Sequence, residues 1–89
     1  MITPEFKSYV SDTVARHFKN TPGPDGTTER NRLHIEIRDS ACYEMRIRIA
    51  ELTSDEAERY VMAKYADSRA QAAIYDLFVM PARKPRRYK

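Results

Sequence analysis

Apolar and polar residues alternate strictly along residues 33–38 and again along residues 43–49, on either side of a short polar break. A period of two is typical of β-strands, because successive side chains on a strand point to opposite faces of the sheet. The pattern therefore predicts a β-hairpin with one apolar face, which faces the core, and one charged face. The apolar face would contain Leu33, Ile35, Ile37, Tyr43, Met45, Ile47 and Ile49, and the charged face His34, Glu36, Arg38, Glu44, Arg46 and Arg48.

Two helices are predicted on either side of the hairpin. Residues 3–19 begin with an N-cap at Thr3 and continue with a proline at the first helical position. Residues 20–32 form a turn-rich connection that contains prolines and glycines. The second helix is predicted to begin at Thr53, whose capping box with Glu56 satisfies backbone N–H groups. The apolar stripe of the first helix would consist of Phe6, Tyr9, Val10, Val14 and Phe18.

The last apolar run, residues 74–80, is rich in β-branched and aromatic side chains and ends at Pro81. We predict a third strand there, although a continued helix is the alternative because residues 67–73 contain no helix breaker. The element order α-β-β-α-β and a right-handed connection give a small antiparallel sheet of order 2-1-3, covered by two helices. The sequence thus predicts a two-layer α+β domain over residues 1–82 and a basic tail over residues 83–89.

Charge and cysteine content narrow the class of protein. The 89-residue chain has a formal net charge of +3, and removing the five basic residues at positions 83–89 takes it to −2. The single cysteine, Cys42, cannot form an internal disulfide. No apolar run approaches the roughly 20 residues that span a membrane, and the first residues lack the apolar core of a signal peptide. We therefore expect a cytoplasmic protein that has no membrane contact.

The sequence does not predict catalysis, which needs converging nucleophile, base and charge-stabilising groups. His17 is predicted near the end of the first helix and His34 on the charged face of the hairpin. Neither histidine forms a metal-ligand spacing with Cys42, which we interpret as a small filler near the hairpin turn rather than a nucleophile. We therefore expect no catalytic residue, no cofactor-binding residue and no metal site.

Nucleic-acid binding is one of two open interpretations of the charged residues. Basic side chains contact phosphates, and an aromatic ring can stack on a base. Against this, Glu36 and Glu44 interrupt the positive charge of the hairpin, and cross-strand ion pairs explain such a face without a ligand. A nucleic-acid site would use Arg38, Arg46 and Arg48 together with the tail residues Arg83, Lys84, Arg86, Arg87, Tyr88 and Lys89.

Protein binding is the favoured interpretation, and the predicted third strand is its basis. Large apolar residues lie on both sides of that strand, and only one side can face the helices of a two-layer domain. The other side would be covered by a partner protein or by a second copy of the chain, unless the run is helical or the sheet is sandwiched between helices. The predicted partner-binding residues are Tyr75, Phe78 and Met80 on the strand and Arg46 and Arg48 on the hairpin.

Residues 50–57, Ala-Glu-Leu-Thr-Ser-Asp-Glu-Ala, resemble the strand-to-helix junction of small phage-encoded inhibitors of host proteins. Early phage inhibitors of RNA polymerase have a similar hairpin–helix–strand plan, and several small anti-CRISPR proteins share this α+β style. The resemblance covers residues 33–81, whereas the first helix and the basic tail depart from the polymerase-inhibitor pattern. It implies a non-enzymatic protein that inhibits or modulates a host protein by occupying its surface, without a cofactor.

Overall fold

The computed structural model describes residues 2–79 and is a bundle of three α-helices. The second and third helices are antiparallel, since Arg38 contacts Gln71 whereas Arg46 contacts Asp67. The first and second are antiparallel as well, since Phe6 lines a pocket with Leu52 whereas Arg16 contacts Glu44. Helix α1 spans Pro4–Phe18, α2 spans Thr28–Leu52 and α3 spans Glu56–Ile74, and a π-helical turn, Tyr75–Val79, follows α3 directly.

Helix α1 is the element that the sequence predicts most directly. Thr3 Oγ1 accepts a hydrogen bond from the Phe6 backbone N–H at 3.1 Å, so the predicted N-cap is confirmed. Pro4 begins the helix, where the missing proline N–H leaves no hydrogen bond unmade. Beyond the helix, Asn20 has a φ of 66°, a left-handed conformation that asparagine tolerates better than most residues. The predicted stripe is buried at Phe6, Val10, Val14 and Phe18.

The predicted β-hairpin is wrong, because residues 33–49 lie within the single helix α2. Two residues of an α-helix turn the chain by about 200°, so a period-two pattern sends successive apolar residues to opposite sides of the helix. Residues four apart return to the same side, and in this way Ala41, Met45 and Ile49 all reach the core. The alternation that resembled a strand therefore describes a helix with apolar residues on two sides.

The helical state of residues 33–49 also follows from the absence of residues that break helices or form tight turns. Residues 27–79 contain neither glycine nor proline, and residues 39–42 contain none of the dipeptides that favour a tight hairpin turn. A single uninterrupted helix is consistent with this composition.

Two pairs of residues on α2 show how their exposure in the helix compares with the exposure predicted for the hairpin. Ile35 and Ile47 were expected in the core, but they are 44% and 48% exposed. Glu36 and Arg46 are exposed, as predicted for the charged side of the pattern.

The predicted third strand is wrong as well. Helix α3 continues through residues 67–73 to Ile74, so the alternative of a continued helix is confirmed. Four alanines within residues 66–73 favour the helix, because alanine has the highest intrinsic helix propensity. Residues 2–79 contain no strand, and a helical bundle replaces the α+β class, the two-layer arrangement and the sheet of order 2-1-3.

The N-cap of α3 lies two residues after the predicted one. Thr53 is the C-cap of α2, and the N-cap of α3 is Asp55, whose carboxylate accepts a hydrogen bond from the Ala57 N–H at 3.2 Å. The Arg59 guanidinium donates to the Thr53 carbonyl at 2.6 Å and so satisfies an acceptor that the end of α2 leaves unpaired. The predicted capping box of Thr53 with Glu56 is therefore wrong.

A single apolar core lies between the three helices. Met45 is fully buried within it, and small alanine side chains on α3 permit close approach of the helix backbones. The buried apolar residues are Phe6, Val10, Val14, Phe18, Ala41, Met45, Ile49, Met62, Ala66, Ala70 and Ala73.

Residues 80–89 lie outside the part of the chain that the structure describes. The domain boundary at residue 82 therefore stays a prediction. The same holds for the roles proposed for Met80 and for the tail residues Arg83, Lys84, Arg86, Arg87, Tyr88 and Lys89.

Candidate protein-binding surface

The side of α2 that points away from the bundle exposes large apolar residues to solvent. Tyr43 is 70% exposed, and Ile35 and Ile47 are each almost half exposed. The alternating pattern gives α2 more apolar residues than its inner side can bury, so the remainder lie outside. We call this surface the outer face of α2 and define it by the exposed residues Arg32, Ile35, Glu36, Asp39, Tyr43, Arg46, Ile47 and Glu51.

The outer face of α2 borders an open groove of about 710 Å³ between α2 and α3. Arg46 donates to the Asp67 carboxylate at 2.5 Å, and Arg38 lies 2.9 Å from the Asp39 carboxylate. Each arginine in the groove therefore has a carboxylate partner, and the groove has no net charge. Its lining consists of Arg38, Asp39, Cys42, Tyr43, Arg46, Asp67, Ser68, Gln71 and Ala72.

The predicted partner-binding residues do not share one sheet edge in residues 2–79, since this part of the chain has no sheet. Arg46 lies on the outer face of α2, and Arg48 forms an ion pair with Glu51 at 3.2 Å. Tyr75 is 46% exposed on the π-helical turn, whereas Phe78 is partly buried. The structure thus brings one of these residues to the apolar surface of α2 and leaves their binding roles as predictions.

His34 and Phe78 hold the π-helical turn against the bundle. His34 is 3% exposed, and its ring stacks on the Phe78 ring with centroids 4.5 Å apart. The Nε2–H of His34 donates to the Pro22 carbonyl at 2.9 Å, which also joins the preceding connection to α2. Phe78 packs further against Phe18, with ring centroids 5.7 Å apart. The prediction that His34 lies on a solvated face is therefore wrong.

Glu44 joins α2 to α1 through two basic side chains. Its carboxylate oxygens lie 2.6 Å from an Arg16 guanidinium nitrogen and 2.7 Å from His17 Nε2. Hydrogen bonds from Arg16 and then from His17 lower the pKa of Glu44 to about 2. His17 thus has a structural partner on the neighbouring helix.

Cys42 lines the groove, and the raised pKa of its thiol disfavours nucleophilic chemistry. Burial, with the nearby Asp67 carboxylate as a smaller cause, raises the pKa of the Cys42 thiol to about 11. A thiol with this pKa stays protonated near neutral pH, and the thiolate is the reactive form. Within residues 2–79, no group of three or more His, Cys, Asp or Glu side chains is arranged to hold a metal ion.

The exposure of Ile35, Tyr43 and Ile47 was not predicted, because the hairpin prediction assigned all three residues to the core. The spacing of these residues does predict their exposure once the segment is treated as a helix. Tyr43 and Ile47 are four residues apart, as are Met45 and Ile49, so on a helix the first pair is turned by about 200° from the second. A helical projection of the alternating pattern therefore predicts two opposed apolar stripes, of which only one can be internal.

Comparisons with known proteins do not add to this description. The chain matches no protein-family model, no curated protein and no solved structure. Among the helices formed by residues 2–79, none has the length and apolar character needed to cross a membrane.

Proposed function

We propose that this protein is a non-enzymatic binding protein that acts by occupying the surface of another protein through the outer face of α2. One observation carries the proposal, namely that Tyr43 and Ile47 are both solvent-exposed and lie one helical turn apart. Aromatic residues are enriched among those that dominate binding energy at protein interfaces. A protein partner would remove both side chains from water.

The surroundings of Tyr43 and Ile47 support protein as the partner class. Charged residues of both signs flank the apolar pair, including Glu36, Arg46 and Glu51. An apolar centre with a charged rim is the usual composition of a protein interface, where the rim charges set association rate and specificity. Modulation or inhibition of a host protein, and a cytoplasmic location, are the finer parts of this proposal.

Capture from a host-cell lysate tests the proposal. The wild-type chain, Tyr43→Ala and Ile47→Glu would be immobilised, and the captured proteins compared after nuclease treatment. Each substitution should weaken capture by roughly tenfold or more, as truncation of a central interface residue does. Tyr60→Ala is the matched control, because Tyr60 is 65% exposed on α3. Equal capture by all four proteins would refute the role of the outer face of α2.

Nucleic-acid binding is the second candidate function, and its support is the charge of residues 83–89. The described arginines give it less support. Arg38, Arg46 and Arg48 are paired with Asp39, Asp67 and Glu51 respectively, which reduces the positive potential of α2. If nucleic acid is the partner, nuclease treatment should abolish capture, and added salt should weaken binding steeply through counterion release.

A further inference from the structure

Apart from Asp39, the charged residues on the outer face of α2 follow an order of signs that complements itself when the helix is reversed. Arg48 is not part of this set, since it lines a separate pocket together with Phe6 and Tyr9 of α1. From the N-terminal end, the exposed charges are Arg32, Glu36, Asp39, Arg46 and Glu51, which are positive, negative, negative, positive and negative.

Two copies of α2 match their charges when they lie antiparallel about a two-fold axis at the level of residue 41. Glu36 then faces Arg46 of the second copy, and Arg32 lies opposite Ala50, one residue from Glu51 of the second copy. Two-fold symmetry makes each of these pairs occur twice. Arg46 can keep its contact with Asp67 at the same time, because a guanidinium has five N–H donors.

The apolar residues match in the same alignment. Ile35 faces Ile47 of the second copy, so each exposed isoleucine covers the other. Asp39 faces Tyr43 of the second copy, whose hydroxyl is a hydrogen-bond donor for a carboxylate. These four residues are spaced four apart and form one ridge of the helix, the feature that packs into the grooves of a facing helix.

A parallel, in-register alignment of two copies lacks this match. In a parallel arrangement, Glu36 would face Glu36 of the second copy and Arg46 would face its own counterpart, and like charges at an interface are repulsive. The charge order therefore favours the antiparallel arrangement over the parallel one.

We propose that the outer face of α2 binds the same face of a second copy, so that the protein forms an antiparallel homodimer. This inference rests on the proposed function, which makes that face a protein-binding surface. The interface uses mainly one helix from each copy, of roughly 37 Å at 1.5 Å per residue, and so belongs at the low end of interface sizes. The dimer is therefore expected to dissociate in the micromolar range, so that a protein partner that binds more tightly can replace the second copy on the same face.

Analytical ultracentrifugation of the full chain from about 1 µM to about 300 µM, a range suited to micromolar dissociation constants, tests the dimer. The wild-type chain should change from monomer to dimer across this range. Ile47→Glu should stay monomeric, because it would place a carboxylate against an isoleucine, whereas Tyr60→Ala should dimerise like the wild type. Circular dichroism would establish that each variant keeps its helical content. A wild-type chain that stays monomeric throughout would overturn the proposal.

An exchange of charges tests the antiparallel alignment itself. Glu36→Arg alone and Arg46→Glu alone should each weaken dimerisation, because each sets like charges against one another twice. An equimolar mixture of the two variants should restore a dimer, since every reversed charge then meets a reversed partner. Lys7→Glu, a charge reversal on the exposed surface of α1, is the matched control and should leave dimerisation unchanged. A mixture no more dimeric than its components would contradict this alignment.

The same variants separate failure of the dimer from failure of the proposed function. A monomeric wild-type chain that captures a foreign protein, with loss of capture in Ile47→Glu, would overturn the homodimer and leave the proposed function standing. A wild-type dimer that Glu36→Arg and Ile47→Glu leave intact would overturn this inference because it uses another surface.

Discussion

Replacing Met45 with alanine tests the register of α2 most sharply when it is compared with Ile47→Ala. Met45 is fully buried, whereas Ile47 is 48% exposed. In a hairpin these residues, two positions apart, would share one face, but in a helix they lie on opposite sides. The two substitutions should therefore differ strongly in their effect on the free energy of unfolding.

The size of the difference follows from burial. Truncation of a buried methionine to alanine costs about 2–5 kcal/mol, because apolar contact is lost and a cavity remains. Ile47→Ala removes atoms that are half in water already, so its cost should stay within about 1 kcal/mol. For a domain of this size, each 1 kcal/mol shifts Tm by about 4–8 °C, which makes the contrast easy to measure.

The assay is urea and thermal unfolding followed by circular dichroism. Protein concentration should be kept at about 1 µM or below, the monomeric end of the range given above, so that dimerisation contributes little to the measured stability. The reasoning would be refuted if Met45→Ala and Ile47→Ala lowered the free energy of unfolding by similar amounts.

Three further predictions concern the N-cap of α3, the stability of the protein at low pH and the reactivity of the Cys42 thiol. Asp55→Ala should cost about 1 kcal/mol in urea unfolding by removing the N-cap of α3, and an unchanged midpoint would contradict that role. The pKa of Glu44 is lowered from 4.5 to about 2 in the folded protein. The contribution of ionised Glu44 to the free energy of unfolding is therefore complete above pH 4.5 and is lost as the pH falls towards 2. Glu44→Gln should flatten that part of the stability profile, by less than about 1 kcal/mol because the side chain is partly exposed. Cys42 should react slowly with thiol reagents near neutral pH and faster towards pH 11, so fast labelling in the folded protein at neutral pH would contradict its protonated state.

Local signals in the sequence predict α1 well. Thr3, Pro4 and the stripe from Phe6 to Phe18 all indicate the same helix, and no other element competes for these residues. The predicted start of α3 is two residues too early. Thr53 and Asp55 are both good cap residues, and only the packing of the turn decides between them.

The failure at α2 has a physical cause. A period of two and a period of 3.6 coincide at every fourth residue, so Met45 and Ile49 fit a strand and a helix equally well. What decides between them is tertiary packing against α1 and α3, together with the absence of glycine and proline from residues 27–79. The outer face of α2 could not be predicted until the helix was assigned, because Tyr43 and Ile47 are exposed only in that state.

The central claim is that residues 33–49 form one helix that divides its apolar residues between the core and the outer face of α2. Backbone NMR of the isotope-labelled chain tests it most directly. We predict helical Cα secondary shifts and sequential amide–amide contacts that continue without interruption through residues 39–42. Strand-like shifts on both sides of those residues, with cross-strand Hα–Hα contacts between residues 33–38 and 43–49, would contradict the account.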